Sequence, residues 1–257
     1  VRISDILAGT WRDIALALVL LTRLPLPRLP EAAFARQAQA GWAFPLVGIA
    51  VAAPACALGA FAIHLGLPPA VAAGLVLAAQ VMLTGAMHED GLADSADGLW
   101  GGMTRARRLE IMKDSRIGSY GVLALILCTG LRWAALAALI ETQAWGAVLA
   151  TALLSRAGMP ALMAALPHAR AGGLSHAVGR PGRGTALSAA ALALVLALLL
   201  SGSAAVAAAF WAGLAVLGMG ALARAKLGGQ TGDILGASQQ LAEIAALLAF
   251  LSLGGAS

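Results

Sequence analysis

The sequence predicts an all-α fold: a polytopic transmembrane helical bundle of about seven spans, with an N-terminal interfacial or re-entrant helix. Three observations predict it. Hydrophobic residues make up 60% of the 257 and charged residues only 11%, against roughly 25% charge in an ordinary soluble domain. So little charge cannot cover the surface of a soluble fold of this size. Apolar runs of about twenty residues, the length that crosses a bilayer, recur along the chain. The charged residues collect in a few short segments between those runs.

The elements follow in order. Trp11–Leu24 is apolar for about ten residues and ends at Arg23, Pro25 and Pro27, which is short for a span of about twenty and reads as interfacial or re-entrant. Val1–Asp13 carries Arg2, Asp5, Arg12 and Asp13 and no small-residue cleavage site, so no removable leader is expected. Pro45–Leu65 and Pro69–Met87 read as the first two spans. His88–Gly118 is polar, with acids at 89, 90, 94, 97, 110 and 114 and bases at 105, 107, 108, 113 and 116. Tyr120–Ile140 and Ala144–Leu166 read as spans three and four, Ala186–Leu200 and Ala204–Arg224 as five and six, and Ala237–Leu253 as the last helix. Pro167–Gly184 and the Gly-rich Lys226–Gly236 are loops between them. Residues 1–257 thus read as one integral membrane domain, with catalytic segments near 88–118, 167–186 and 226–236.

Charge sets the orientation. The segments holding Arg28, Arg105–Arg116, Arg170–Arg183 and Arg224–Lys226 are basic, and the intervening hairpins lack Lys and Arg. The positive-inside rule places the N-terminus and every basic loop in the cytoplasm, and seven spans put the C-terminus outside. The net charge of +5 is absorbed by those loops and does not speak for nucleic acid. Cys56 and Cys128 lie in apolar runs, which reads as buried thiols without a disulfide. Polar groups gathered at one rim argue against a pump or channel, which distributes them through the bilayer.

The richest segment is His88-Glu89-Asp90-Gly91-Leu92-Ala93-Asp94-Ser95-Ala96-Asp97-Gly98. Asp90, Asp94 and Asp97 stand at i, i+4 and i+7 and share one helical face. Like charges about 4 Å apart cost about 4 kcal/mol at a surface-like dielectric, so a cation belongs among them. Oxygen-only ligands suit Mg²⁺, with Mn²⁺ as the alternative, and Glu89 is a further candidate ligand. Gly91 and Gly98 allow close approach of a substrate. The plainer reading is a solvated acidic patch, and His88 is more readily a hydrogen-bonded interface residue than a ligand.

Lys113 and Arg116 follow, candidates to hold phosphate beside the metal in the manner of phosphoryl-transfer sites. The plainer reading, topology determinants, covers Arg105 and Arg107. Gly228-Gly229-Gln230-Thr231-Gly232-Asp233 is a second polar island: Gly229 and Gly232 can present N–H groups to an anion, and Asp233 is either functional or a helix cap. Arg132, Arg156 and Glu243 lie within spans, where charge points to function, although Arg156 and Glu243 can pair with each other.

The runs 88–98, Arg108-Leu109-Glu110-Ile111-Met112-Lys113-Asp114-Ser115-Arg116-Ile117-Gly118 and 228–237, with Thr22-Arg23-Leu24-Pro25 and Phe44-Pro45-Leu46-Val47-Gly48, resemble the cobalamin synthase (adenosylcobinamide-GDP ribazoletransferase) family. The resemblance covers nearly the whole chain in order. It implies a Mg²⁺-dependent enzyme of the bacterial inner membrane with its active site facing the cytoplasm. Its substrates would be adenosylcobinamide-GDP and α-ribazole or the 5′-phosphate, its products adenosylcobalamin or its phosphate and GMP. Under it, Asp90, Asp94 and Asp97 hold the metal, Asp114 or Asp233 takes the hydroxyl proton or completes the metal shell, and Lys113, Ser115 and Arg116 contact phosphate, with His88, Arg23 and Arg156 as further substrate contacts. It leaves room for a homo-oligomer or association with other cobalamin-assembly enzymes. The nearest rival is a CDP-alcohol phosphatidyltransferase, whose Asp-Gly motif is followed by Ala-Arg where this chain has Leu92-Ala93-Asp94. A corrinoid transporter or scaffold is the rival from another class.

Overall fold

The computed structural model describes residues 3–254. Val1 and Arg2, part of the segment read as uncleaved, lie outside them. The described residues are helical throughout, with no strand: α1 (Ile3–Leu21), α2 (Phe44–His64), α3 (Pro69–Thr84), α4 (Met87–Gly101), α5 (Arg105–Ile111), α6 (Ser119–Glu141), α7 (Trp145–Ala165), α8 (Leu174–Val178), α9 (Arg183–Ser201), α10 (Ala204–Leu227) and α11 (Gly232–Ser252), with two 3₁₀ turns between α1 and α2. Six helices are long and apolar enough to cross a membrane: α2, α6, α7, α9, α10 and α11. The pair α3 and α4, bent by 86°, makes a seventh crossing if it counts as one broken span.

Burial orders the bundle. In their most apolar stretches α7 and α11 are 72% and 78% buried, whereas α6, α9 and α10 are 22–33% buried, so α7 and α11 form the centre and the others face lipid. Gly48 lets α2 meet α7 at contact distance, since a Cβ there would collide with the Ala152 carbonyl. Small residues serve such approaches in lipid, where burial of apolar area drives nothing between helices.

Three boundaries differ from the sequence reading. The apolar run 69–87 is not one helix. Gly85 (φ 64) and Ala86 (φ 57) are both left-handed, which stops α3 and starts α4 in a new direction. Gly85 is closed over by the Arg23 side chain, and Arg23 N donates to Leu83 O at 2.7 Å. Second, α11 starts at Gly232 rather than Ala237, because Thr231 Oγ1 accepts from Ile234 N at 3.2 Å and caps it. Third, the 167–184 loop contains α8 and is stitched to the α10–α11 turn: Gln230 N donates to Pro167 O and Ala169 N to Gln230 O, at 2.8 and 2.9 Å. The N-terminal segment, read as an interfacial or re-entrant helix over Trp11–Leu24, is one continuous helix, α1, that ends at Leu21.

The expectation that polar groups stay at one rim also needs correction. Arg132, 2% exposed, sits inside the bundle on α6. Its Nε and Nη2 reach Glu243 Oε1 at 3.0 and 2.8 Å. Its Nη1 reaches Glu89 and Gln240, both at 2.8 Å, and Nη2 also reaches Gln80 at 3.3 Å. Each of the three guanidinium nitrogens thereby has at least one hydrogen-bond partner. Glu243 pairs with Arg132, not with Arg156, whose Nη1 donates to Ala152 O at 3.1 Å. Cys56 is buried and Cys128 half-buried, both as free thiols.

The Arg132 cluster joins α3, α4, α6 and α11. Removing one partner of a buried pair leaves its counter-charge stranded, at a cost of about 3–5 kcal/mol. Arg132→Met is therefore expected to lower unfolding stability in micelles by about that amount, with Glu243→Gln losing less. Equal denaturation midpoints for wild type and Arg132→Met would show that the cluster is not a brace.

Candidate active site

The starts of α6 and α11 and the ends of α3 and α10 come together at one rim, and α4 lies across them. A Cβ at Gly91 of α4 would strike the Asp233 backbone at 2.8 Å. At the other end of α4, Asp97 accepts from Gly118 N at 2.7 Å and Gly121 N at 2.9 Å. One of its oxygens thus goes to each of two orphan N–H groups at the start of α6, the preferred place for a carboxylate on a helix. The three acids of the shared face are graded: Asp90 is exposed, Asp94 half-buried, and Asp97 buried at 8%.

Asp233, 143 residues after Asp90 in sequence, joins them from the first turn of α11. Asp94 is pushed up to about 7, chiefly by burial and then by Asp90, Asp233 and Asp97, with Arg170 opposing. Asp233 Oδ2 pairs with Arg170 Nη2 at 3.2 Å and accepts from Thr231 Oγ1 at 3.2 Å. Three carboxylates and one arginine thus form an open cluster around Asp94. Among the described residues, no three His, Cys, Asp or Glu side chains already stand as a ready-made metal cage.

Other residues singled out in the sequence fall elsewhere. Glu89 turns into the bundle onto Arg132 and Gln240 Nε2, so it belongs to the brace and not to the acid face. The room beside Gly91 is filled by Asp233, beside Gly98 by Met112, and beside Gly229 by the Pro167 carbonyl. These glycines permit contacts within the protein, and only Gly232 opens onto free space. His88 and Arg156 are 1% and 3% exposed, shut away from the rim. His88 lines a cavity of about 40 Å³, room for a water molecule rather than a ring. Arg23 is at the rim, its side chain over Gly85. Lys113, Asp114, Ser115 and Arg116 form an exposed turn. There Arg116 binds Asp114 at 3.1 Å and, by that bond first, holds the Asp114 carboxyl below its usual range, which makes Asp114 a poor proton acceptor. This turn shares with Asp97 and Tyr120 a cleft of about 340 Å³.

The family model described as cobalamin-5-phosphate synthase matches residues 13–251. The chain is 47% identical over 249 residues to an adenosylcobinamide-GDP ribazoletransferase of Bradyrhizobium diazoefficiens, covering 95% of each. It is 45% identical over 237 residues to one of Mesorhizobium japonicum, covering 92% of this chain and 91% of that one. With one of Brucella canis the identity is 40% over 253 residues, with 93% and 96% covered. The chain belongs to the cobalamin-5-phosphate synthase family. No solved structure matches it.

Within this family member, sequence reasoning missed two residues of the site. Arg170 was counted only as loop charge, because nothing in the local pattern of 167–184 aims it at Asp233. Arg105, read as a topology determinant, donates from Nη2 to Ala169 O at 2.9 Å and so helps to fix the Arg170 loop. No periodicity links either residue to α4.

The α4 helix lies outside the six long spans, and its crowding is testable. Asp94 titrates at about 7, above the roughly 3.9 of a free aspartate. Between those values the folded chain holds a proton that the unfolded chain has released, so without metal the stability falls as pH rises from about 4 through 7. Asp94→Asn is expected to raise the metal-free melting temperature at pH 8 by a few degrees, a gain that shrinks on acidification toward pH 4. A gain that instead grows on acidification contradicts the crowding.

Proposed function

We propose that this chain transfers the phosphocobinamide group of adenosylcobinamide-GDP to α-ribazole or its 5′-phosphate, releasing GMP, the last assembly of the nucleotide loop of cobalamin. The membership of the family over nearly the whole chain supports this, and the meeting of Asp90, Asp94 and Asp233 at one rim gives the chemistry a place. The rim that holds them also holds the basic loops, which supports a cytoplasm-facing site in the bacterial inner membrane.

A ribose hydroxyl attacks the phosphorus next to cobinamide, the bond from that phosphorus to the bridging oxygen breaks, and GMP leaves with that oxygen. The donor set fits Mg²⁺, which takes one or two carboxylates plus substrate phosphates and keeps several waters. Asp90 and Asp94 would hold it, with Asp233 at hand. When bound, the ion neutralises diphosphate oxygens and the leaving phosphate. Asp97, with an N–H on each oxygen, is assigned to orienting α4 against α6. Asp233 is the better placed acceptor of the hydroxyl proton, since Asp114 is held ionised by Arg116 in the outer turn.

Buried charge within the bundle, on Arg132, Arg156 and Glu243, is the observation that suits a transporter. Each nitrogen of Arg132 has a partner within the protein, however, and among the described residues one pair of helices is broken, so the Arg132 cluster serves as a brace.

Membranes carrying the chain, given adenosylcobinamide-GDP and α-ribazole, are expected to release GMP. EDTA should stop the release and Mg²⁺ restore it. Asp90→Ala and Asp94→Ala should lower the rate at least a hundredfold at limiting Mg²⁺. Absence of GMP overturns the activity, and an undiminished rate in EDTA overturns the metal.

A further inference from the structure

Arg170 is held with unusual care for a loop arginine. The residues just before it are tied down. Gln230 N bonds Pro167 O, Ala169 N bonds Gln230 O, and Arg105 Nη2 bonds Ala169 O at 2.9 Å. The Gln230 side chain is itself fixed, accepting from Ser175 Oγ at 2.7 Å. Beyond Arg170 the chain turns away through Gly172 and Gly173, at φ 87 and 86.

The guanidinium uses Nη2 on Asp233. Its Nη1 is buried and has no hydrogen-bond partner. A buried charged donor without a partner is expensive, and here it belongs to the guanidinium that pairs with Asp233. Among the described residues Arg170 is the one cation ion-paired with any of Asp90, Asp94, Asp97 and Asp233. Beside Gly232, in the first turn of α11, no side chain and no other segment of the protein lies within 4 Å of where a Cβ would sit. By contrast, the side chain of Arg116 is 88% exposed and closed on its own Asp114.

We propose that Arg170, rather than Lys113 or Arg116, is the residue that grips the diphosphate of the corrinoid substrate. The inference rests on the activity argued above and deepens it. Nη1 donates to a non-bridging phosphate oxygen while Nη2 stays on Asp233. One guanidinium then ties substrate to proton acceptor and offsets the repulsion between the diphosphate and the carboxylates. A planar fork does this where a lysine supplies only a point charge.

The test uses the full-length chain in nanodiscs. Wild type, R170K, R170Q, R116Q and R107Q are compared for KM of each substrate, kcat, melting temperature, and direct binding of adenosylcobinamide-GDP without α-ribazole. R170Q is expected to weaken corrinoid binding and raise that KM at least tenfold, while the KM for α-ribazole moves less than twofold. R170K should recover part of the loss, and R107Q should behave as wild type. R170Q/D233N, which keeps the local charge balanced, is compared by binding alone. It should bind as weakly as R170Q if Arg170 grips phosphate. Wild-type binding by R170Q, restored binding by the double variant, or a larger loss in R116Q than in R170Q each overturns the assignment. Should R170Q fail to fold, the double variant and R170K decide it by the same readings. A wild-type chain that releases no GMP overturns the activity first and this inference with it, which separates the two failures.

Discussion

A guanidinium inside a bilayer protein is costly unless its donors find partners, since a central charge in lipid costs about 2.5–3.5 kcal/mol even on lenient scales. Arg132 meets that demand by drawing Gln80, Glu89, Gln240 and Glu243 onto itself. These residues sit on α3, α4 and α11, so satisfying one side chain fixes three helices around α6. The position of α4 follows, since Glu89 stands one residue before Asp90 and cannot reach Arg132 unless α4 leaves α3 at the sharp angle seen. The two left-handed residues at 85 and 86 make that angle available, and the buried ion cluster makes it worth adopting.

Once α4 lies across the bundle, its i, i+4, i+7 acids no longer form one uniform site. They run from open rim to sealed interface, and chemistry follows burial. Asp97 has been given to the start of α6, where its two oxygens replace partners that the first turn lacks. Asp90 and Asp94 remain available, and Asp233 arrives from α11 because Gly91 lets the two helices touch. The carboxylate that joins Asp90 and Asp94 thus comes from a different helix.

The all-α bundle was legible from composition and run length, because those measure how each segment partitions into lipid. Span limits such as Ala204 and Glu141 were legible to within a few residues for the same reason. The break at Gly85 was not, since Thr84, Gly85 and Ala86 interrupt neither hydropathy nor helical propensity strongly, and only the pull of Arg132 on Glu89 decides the turn. In the candidate site, the shared helical face of Asp90, Asp94 and Asp97 was legible from spacing. The partners that Glu89 and Asp97 take, Arg132 and the start of α6, were not, because spacing gives a helical face but not its neighbours. Arg170 was illegible because its place is set by the backbone pairing of neighbouring His168 with Gln230, 62 positions further along the sequence.

The arrangement separates two electrostatic tasks within a single acidic motif. Charges that must never see water or substrate, those of Arg132, Glu89 and Glu243, cancel one another inside the protein and hold the frame. The charges proposed to meet a diphosphate are left incompletely cancelled: Asp94 sits among like neighbours and Arg170 keeps one donor unmatched. On the proposed function, a divalent ion with a diphosphate would supply both the positive charge that the carboxylates lack and the acceptor that the guanidinium lacks. Binding energy would then be concentrated on the diphosphate, the group whose bridging bond must break, instead of being spread over a bulky corrin ring.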